Sequence, residues 1–300
     1  MIQFTKSITE ATVLTHSGIF HADDVLSTVI LSKALGDITV LRTFKVPENI
    51  GADVIVYDIG LGKFDHHQKG GNGARENGVP YAACGLLWEE YGHMILEGVE
   101  NADLVWYFID RDLIQGIDAT DNGVMPKPDY VAENTSFSRI ISEFNPSWDS
   151  TQDADEAFAT AVQLATMIFN QILTKAIAKA KAYTLIEEAI DASEDGVMVL
   201  DRFAPWQEFL LSSKNPKAEG ILFAVFPSNR GGYNWQCVPD KLNGFGQRKP
   251  VPTAWKGLQN GDLQLATGVA TASFCHPAGF IGGAATLADA IAIARKAINA

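Results

Sequence analysis

Apolar and polar positions along the first third of the chain fall into short blocks of two kinds. Ala11 to His16 is a β-rich run, and Asp23 to Leu35 carries apolar residues at helical spacing and stops at Gly36. Ile38 to Phe44 is β-rich again, and Asp53 to Asp58 is apolar until its closing carboxylate. Helical patterns follow at Ala82 to Leu96 and Ala102 to Gln115. Strands alternating with helices predict an α/β fold with a parallel sheet covered on both faces. From Asp155 to Ile190 the residues Phe158, Val162, Ala165, Phe169, Ile172, Ala176, Ala180 and Tyr183 recur mostly at four-and-three spacing, which predicts one long helix or two nearly collinear ones. After Asp195-Gly196 the pattern returns to strands at Val197 to Leu200, Ile221 to Phe226 and Tyr233 to Val238, with a helix from Leu287 to the end. The expected organisation is an N-terminal domain over residues 1–150, a connecting helix over 151–196 and a smaller α/β or α+β domain over 197–300.

Composition narrows the class. A chain of 300 residues with 47% hydrophobic and 20% charged residues has core enough for two domains. The sequence offers no run of roughly 18 uninterrupted apolar residues of the kind that crosses a bilayer, and MIQFTKSITEA lacks the apolar block of a signal peptide. No membrane association and a cytoplasmic location are therefore expected. Cys84, Cys237 and Cys275 are far apart and form no CxxC, so neither a disulfide framework nor a cysteine zinc site is written here. The net charge of −13 opposes a surface built to grip long duplex nucleic acid. It favours short or single-stranded phosphate-containing partners. Residues 1–196 hold 13 Lys and Arg against 30 Asp and Glu, whereas residues 197–300 hold 10 against 6, so the two parts are suited to different work. The long helix is compatible with a homo-oligomer or with a domain junction alone.

The histidines carry the chemistry. There are six, and five lie in three segments rich in Asp or Gly: His16 and His21 in THSGIFHADD, His66 and His67 in KFDHHQ, and His276 in FCHPAGFIGG. Histidine with aspartate is a ligand set for Mn, Fe or Co. His16 ends the first predicted strand and Asp58 the third, so both face the crevice at the carboxyl ends of a parallel sheet. With Asp121 from the Asp-Asn-Gly segment, His16, His21, Asp23, Asp58 and His66 supply donors for two neighbouring divalent cations. Such a pair activates water for attack on a phosphoryl group. In the basic half, His276 precedes a glycine-bearing loop with Gly279, Gly282 and Gly283, whose backbone N–H groups are candidates for an anion site. Arg230 and Arg248 are candidate phosphate clamps. Trp235 and Trp255 are candidates for stacking on bases or for core packing.

THSGIFHADD, VYDIG, FDHH and DATDNG, in that order, resemble the N-terminal motifs of the DHH phosphoesterase superfamily. FCHPAGFIGG, with the NWQCVP and PTAWKGL runs, resembles its melanocyte-proliferating-gene branch. The resemblance implies an N-terminal metal domain and a C-terminal substrate domain. It implies that His16, His21, Asp23, Asp58, His66 and Asp121 bind two metal ions, with Asp58 as bridge. Mn is the usual metal, with Mg or Co as alternatives. It assigns the reaction to Asp23, Asp58 and His67, with His67 on the substrate phosphate and His276 and the glycine segment holding the substrate. The implied activity is metal-dependent phosphodiester hydrolysis, as a 3′ to 5′ exonuclease on RNA or short oligonucleotides. The alternatives are a pyrophosphatase, a cyclic-dinucleotide hydrolase, or a nucleotide- and metal-binding protein with little catalysis. The superfamily's first motif is His-x3-Asp-x-Asp; here His21 stands in an aspartate's place and Asp24 follows Asp23, leaving His21 and Asp24 as alternative ligands.

Overall fold

The computed structural model describes residues 1–125 and 135–300. The chain divides into two compact units, Met1–Ile177 and Ala178–Ala300, the division falling inside one long helix.

In the first unit, β1 (Ile2–Thr5), β2 (Val13–His16), β3 (Ile38–Thr43) and β4 (Ile55–Val56) form a wholly parallel sheet in the order β1-β3-β2-β4. The run expected over Asp53 to Asp58 pairs only at Ile55 and Val56. Tyr57 makes one further bridge to Phe64, and the chain then turns. Helix α1 (Ala22–Leu35) is buried without a break from Ala22 to Leu31, so it is a central helix rather than a half-exposed one. Each fully buried Leu, Ile or Val there contributes about 1.5–3 kcal/mol, and this packing holds the first turn of α1 fixed at the sheet's carboxyl edge. It packs on α2 (Ala83–Ile95).

Helix α3 (Ala102–Ile109) passes through a π-helical turn, Asp110–Ile114, into α4 (Gln115–Asp121). The DATDNG segment is helical as far as Asp121, and Asn122 and Gly123 form the turn that follows. Helix α5 (Phe137–Ser142) is capped by Ser136, whose hydroxyl accepts from the Arg139 N–H at 3.1 Å.

Helix α6 (Ala154–Asp191) begins in the first unit, where Phe158 packs edge-on against Phe4 and Phe20, and Phe169 against Trp88. An 18-residue window of α6 reaches a mean hydropathy of 1.3, so by length and composition it is apolar enough to cross a bilayer. That property escapes a search for uninterrupted apolar runs, since Gln163, Asn170 and Gln171 break them. Its apolar face is used in the core, where Phe158, Ala161, Ala165 and Phe169 are fully buried.

The second unit is a mixed sheet, β5 (Val197–Val199), β6 (Phe223–Pro227), β7 (Tyr233–Cys237), β8 (Ala272–Cys275) and β9 (Ile281–Ala284), in the order β5-β6-β7-β9-β8. Only β5 and β6 pair in parallel. Helices α7 (Trp206–Ser212), α8 (Asn260–Thr267) and α9 (Leu287–Asn299) complete it, and Ala290, Ile293, Ala294 and Ala297 of α9 join the core beneath the sheet.

Candidate metal centre

In the first unit β3 lies on one side of β2 and β4 on the other. A crevice opens at the carboxyl ends of strands where the strand order reverses in this way. His16 is the last residue of β2, and Asp58 lies two residues beyond β4. The Asp58 backbone is left-handed at φ 53°, a costly state for a residue with a side chain, and is held by its N–H donating to the Phe64 carbonyl at 2.8 Å.

The turn brings Asp58 Oδ2 to 3.2 Å from His16 Nε2. Asp24 completes that trio from the first turn of α1, with Oδ2 3.2 Å from the same nitrogen. Its Oδ1 accepts from the N–H groups of His21 at 2.8 Å and Val25 at 3.0 Å, half of a capping box. On its other side, Asp58 Oδ1 lies 3.6 Å from His66 Nδ1 and 3.5 Å from His67 Nδ1. His66 Nε2 is 3.0 Å from Asp121 Oδ2, and its Nδ1 is 3.9 Å from Asp23 Oδ2. Among the described residues four groups have metal-ligand spacing: His16–Asp24–Asp58, Asp23–His66–Asp121, Asp58–Asp65–His66–His67 and Asp23–Cys84–Asp118; Asp58 reaches the histidines of the first two.

The side chains are under electrostatic load. Burial pushes Asp23 and Asp58 above the usual carboxylate range, and their negative neighbours add to it. Burial alone would lower His16, but the carboxylates of Asp24 and Asp58 outweigh it and raise the imidazole to about 10. His66 is raised in the same way, Asp121 and Asp58 outweighing burial. Among the described residues, Asp24 Oδ2, Asp58 Oδ1 and His66 Nδ1 are buried without a hydrogen-bond partner. Each such atom costs about 1–3 kcal/mol. Three of them in one crevice, on carboxylates and an imidazole, fit divalent cations such as Mn, Fe or Co.

His67 stacks on His66 at 4.2 Å between centroids, and its Nδ1 pairs with Asp65 Oδ1 at 2.7 Å. Although burial opposes it, the N–H groups of His67 and Leu61 and the His67 ring hold Asp65 below the usual carboxylate range. An ionised Asp65 keeps the proton of a neutral His67 on Nδ1 and leaves Nε2 for another partner. His21, expected among the ligands, caps α1 with its side chain 58% exposed and Nδ1 3.8 Å from Asp121 Oδ1; the geometry sets it at the rim and puts Asp24 inside. His21, Asp23, His66, His67 and Asp121 line a cleft of about 520 Å³, to which the α5 segment adds Ser136, Ser138, Arg139 and Ser142.

Beneath the cluster lies a layer that carried no local sequence signal. Helix α2 starts after Ala82, which has no side chain to cap it. Asp23 accepts from the N–H groups of Ala83 at 3.0 Å and Cys84 at 2.6 Å, and Asp118 accepts from Gly85 at 3.1 Å. Two carboxylates at a helix N-terminus are favoured by the macrodipole. Gly85 is required there, since a Cβ would lie 2.0 Å from Asp118 Oδ2. Arg75 donates to Asp118 Oδ2 at 2.7 Å and makes a forked contact with Asp110, its shortest bond 2.6 Å. Burial raises Asp118 to about 6 even so.

In the second unit, His276 is exposed on the turn from β8 to β9, where its Nδ1 accepts from the Ala278 N–H at 3.1 Å. Gly279 lies in that turn at φ 76°. Gly282 and Gly283, expected in a loop, are instead buried within β9 between β7 and β8, and their N–H groups belong to a paired strand. They are glycines because a Cβ at 282 would lie 2.0 Å from the Trp235 ring and one at 283 would lie 2.7 Å from Ser273 Oγ. Trp235 and Trp255 are core residues, which removes them as stacking platforms. Arg230 is exposed in the β6–β7 turn, whereas Arg248 donates to the carbonyls of Ala218 at 2.6 Å and Ile221 at 3.0 Å and holds a turn.

Residues 12–298 match the MYG1 family model, described as an uncharacterised protein family (UPF0160). A MYG1 protein of Caenorhabditis elegans is 30% identical over 95% of this chain and 94% of its own length. A MYG1 protein of Schizosaccharomyces pombe is 27% identical over 96% and 97%. The human protein named MYG1 exonuclease is 29% identical over 95% of this chain and 85% of its own length. No solved structure matches. The sequence, matched almost from end to end, makes this chain a member of the MYG1 family.

Proposed function

We propose that this protein is a metal-dependent phosphodiesterase of the DHH superfamily, acting as a 3′ to 5′ exonuclease on RNA or short oligonucleotides. The observation that carries the reading is the convergence of His16, Asp23, Asp24, Asp58, His66 and Asp121 on one crevice, with three buried donor atoms left without a protein partner. The relatives named as exonucleases support the nuclease assignment. His16, Asp24 and Asp58 would hold one ion and Asp23, Asp58, His66 and Asp121 a second, with Asp24 preferred over His21 as the ligand of the two that the sequence left open. Two divalent ions held there would supply an activated water and charge neutralisation for a phosphoryl oxygen. Mn suits this donor set.

The chain's own residues do the rest. Asp58 fixes the spacing of the two ligand groups. His67, anchored through Nδ1 on Asp65, is assigned to the substrate phosphate: with a proton on Nε2 as well, it would donate to a phosphate oxygen and could pass that proton to the leaving oxygen. Asp23 and Asp121 line the cleft beside it. To the second unit we assign the holding of the substrate, through His276 and Arg230, whose exposed positions on two turns support the role. A cytoplasmic location is proposed with this activity, supported by three free buried cysteines.

The test is purification without metal, reloading with Mn and assay on 3′-labelled single-stranded RNA, with cyclic dinucleotide and pyrophosphate alongside. Asp58→Asn should remain folded by circular dichroism and lose at least about a thousandfold in rate. Stoichiometric Mn without turnover of any phosphate ester would refute the proposal.

A further inference from the structure

Arg139 is the sole Lys or Arg among the described residues lining the cleft of the first unit. It projects from α5 and pairs with Glu143 at 3.0 Å, both side chains well exposed. Such a surface pair is worth at most about 1 kcal/mol, so its exchange for another anion costs little. Ser136 and Ser138 line the cleft beside it. The backbone N–H of Arg139 is taken by Ser136 Oγ, so Arg139 would meet an anion through its guanidinium. Ser136 still has its own O–H to donate.

The remaining charged lining is Asp23 and Asp121, with imidazoles from His21, His66 and His67. Resting on the reading above, the cations of that cluster neutralise a single phosphate, the one being cleaved. A nucleic acid brings another phosphate with every nucleotide, and this second charge would meet an otherwise acidic wall. Guanidinium presents a fork that matches phosphate oxygens in two parallel hydrogen bonds. A cleft of about 520 Å³ is within the range that accepts a nucleotide-sized ligand.

We propose that Arg139, assisted by the hydroxyls of Ser136 and Ser138, forms a subsite for the phosphate adjacent to the scissile one. The subsite makes the cleft selective for substrates with two phosphates separated by one nucleoside. Arg139 is thus a substrate-binding residue for a nucleotide chain, and simple one-phosphate esters gain nothing from it.

The test uses the full chain loaded with Mn and calorimetric titration with adenosine 3′,5′-bisphosphate and with adenosine 5′-monophosphate. The wild type should bind the bisphosphate at least about tenfold more tightly, the scale of a charge-assisted hydrogen bond. In Arg139→Gln that advantage should vanish while Mn affinity stays unchanged, and Arg139→Lys should retain part of it. An equal advantage in wild type and Arg139→Gln would overturn the inference. So would no advantage in the wild type, or a parallel fall in Mn affinity, which would mark the residue as structural. The readout is independent of turnover. An Arg139-dependent advantage in a protein that cleaves no RNA supports the subsite and refutes the proposed activity. RNA cleavage with no dependence on Arg139 does the reverse.

Discussion

Replacing Arg75 by Met removes the one cation that, among the described residues, pairs with Asp110 and Asp118, while keeping most of the stem that lies over the Tyr81 ring. All three charged side chains are at most 7% exposed, so water cannot take over the lost hydrogen bonds. Breaking a buried pair by deleting one partner costs about 3–5 kcal/mol, against total stabilities of about 5–15 kcal/mol. For a unit of this size that lowers the melting temperature by roughly 6–20 °C. The penalty should depend on pH with a defined sign. Asp118 already titrates at about 6 because of burial, with Arg75 holding it down. Without Arg75 it rises further, so the variant loses additional stability as pH climbs above 6, and the gap between the proteins narrows below it. Scanning calorimetry of metal-free protein at pH 8 and pH 5 reads both quantities. A shift under 3 °C at pH 8, or an identical shift at both pH values, would show that the network does not carry the helix layer.

The metal-free protein should lose stability steadily as pH rises from about 6.5 toward about 10. His16 binds its proton more tightly when folded than unfolded, so its contribution is complete below its ordinary value and gone above its raised one. Asp23, Asp58 and His66 are shifted in the same direction, and saturating Mn should flatten the curve; a metal-free profile that stays level or climbs would contradict the site's electrostatics. Gly282→Ala should cost about 1–3 kcal/mol or more by driving a methyl into the Trp235 ring, measured by chemical denaturation, and an unperturbed midpoint would show that β9 can shift without cost.

The sequence made some of this legible and hid the rest for physical reasons. Val13–His16 and Ile38–Thr43 were readable because buried parallel strands are continuous apolar runs, whereas Ile2–Thr5 is a half-exposed edge strand with no such signature. His16 and Asp58 announced themselves as polar residues closing apolar strands, and His66 as a rare residue type beside another histidine and an aspartate. Asp24 and His21 stood as alternatives, since only the placement of the first turn of α1 decides which of the two side chains faces His16 and Asp58. Arg75 lies in a glycine-rich stretch without periodicity, and its partners are 35 and 43 residues away. The glycines at 282 and 283 looked like a loop because a strand that must pass beneath a tryptophan uses the residue that loops also favour.

Asp23 stands in two structures at once, the candidate metal crevice and the foot of a 13-residue helix. Whatever reorients that carboxylate withdraws negative charge from the helix start in the same movement. On the proposed reading, an ion held by Asp23 would act on the start of that helix as well, and its removal would be felt beyond the residues that touch it.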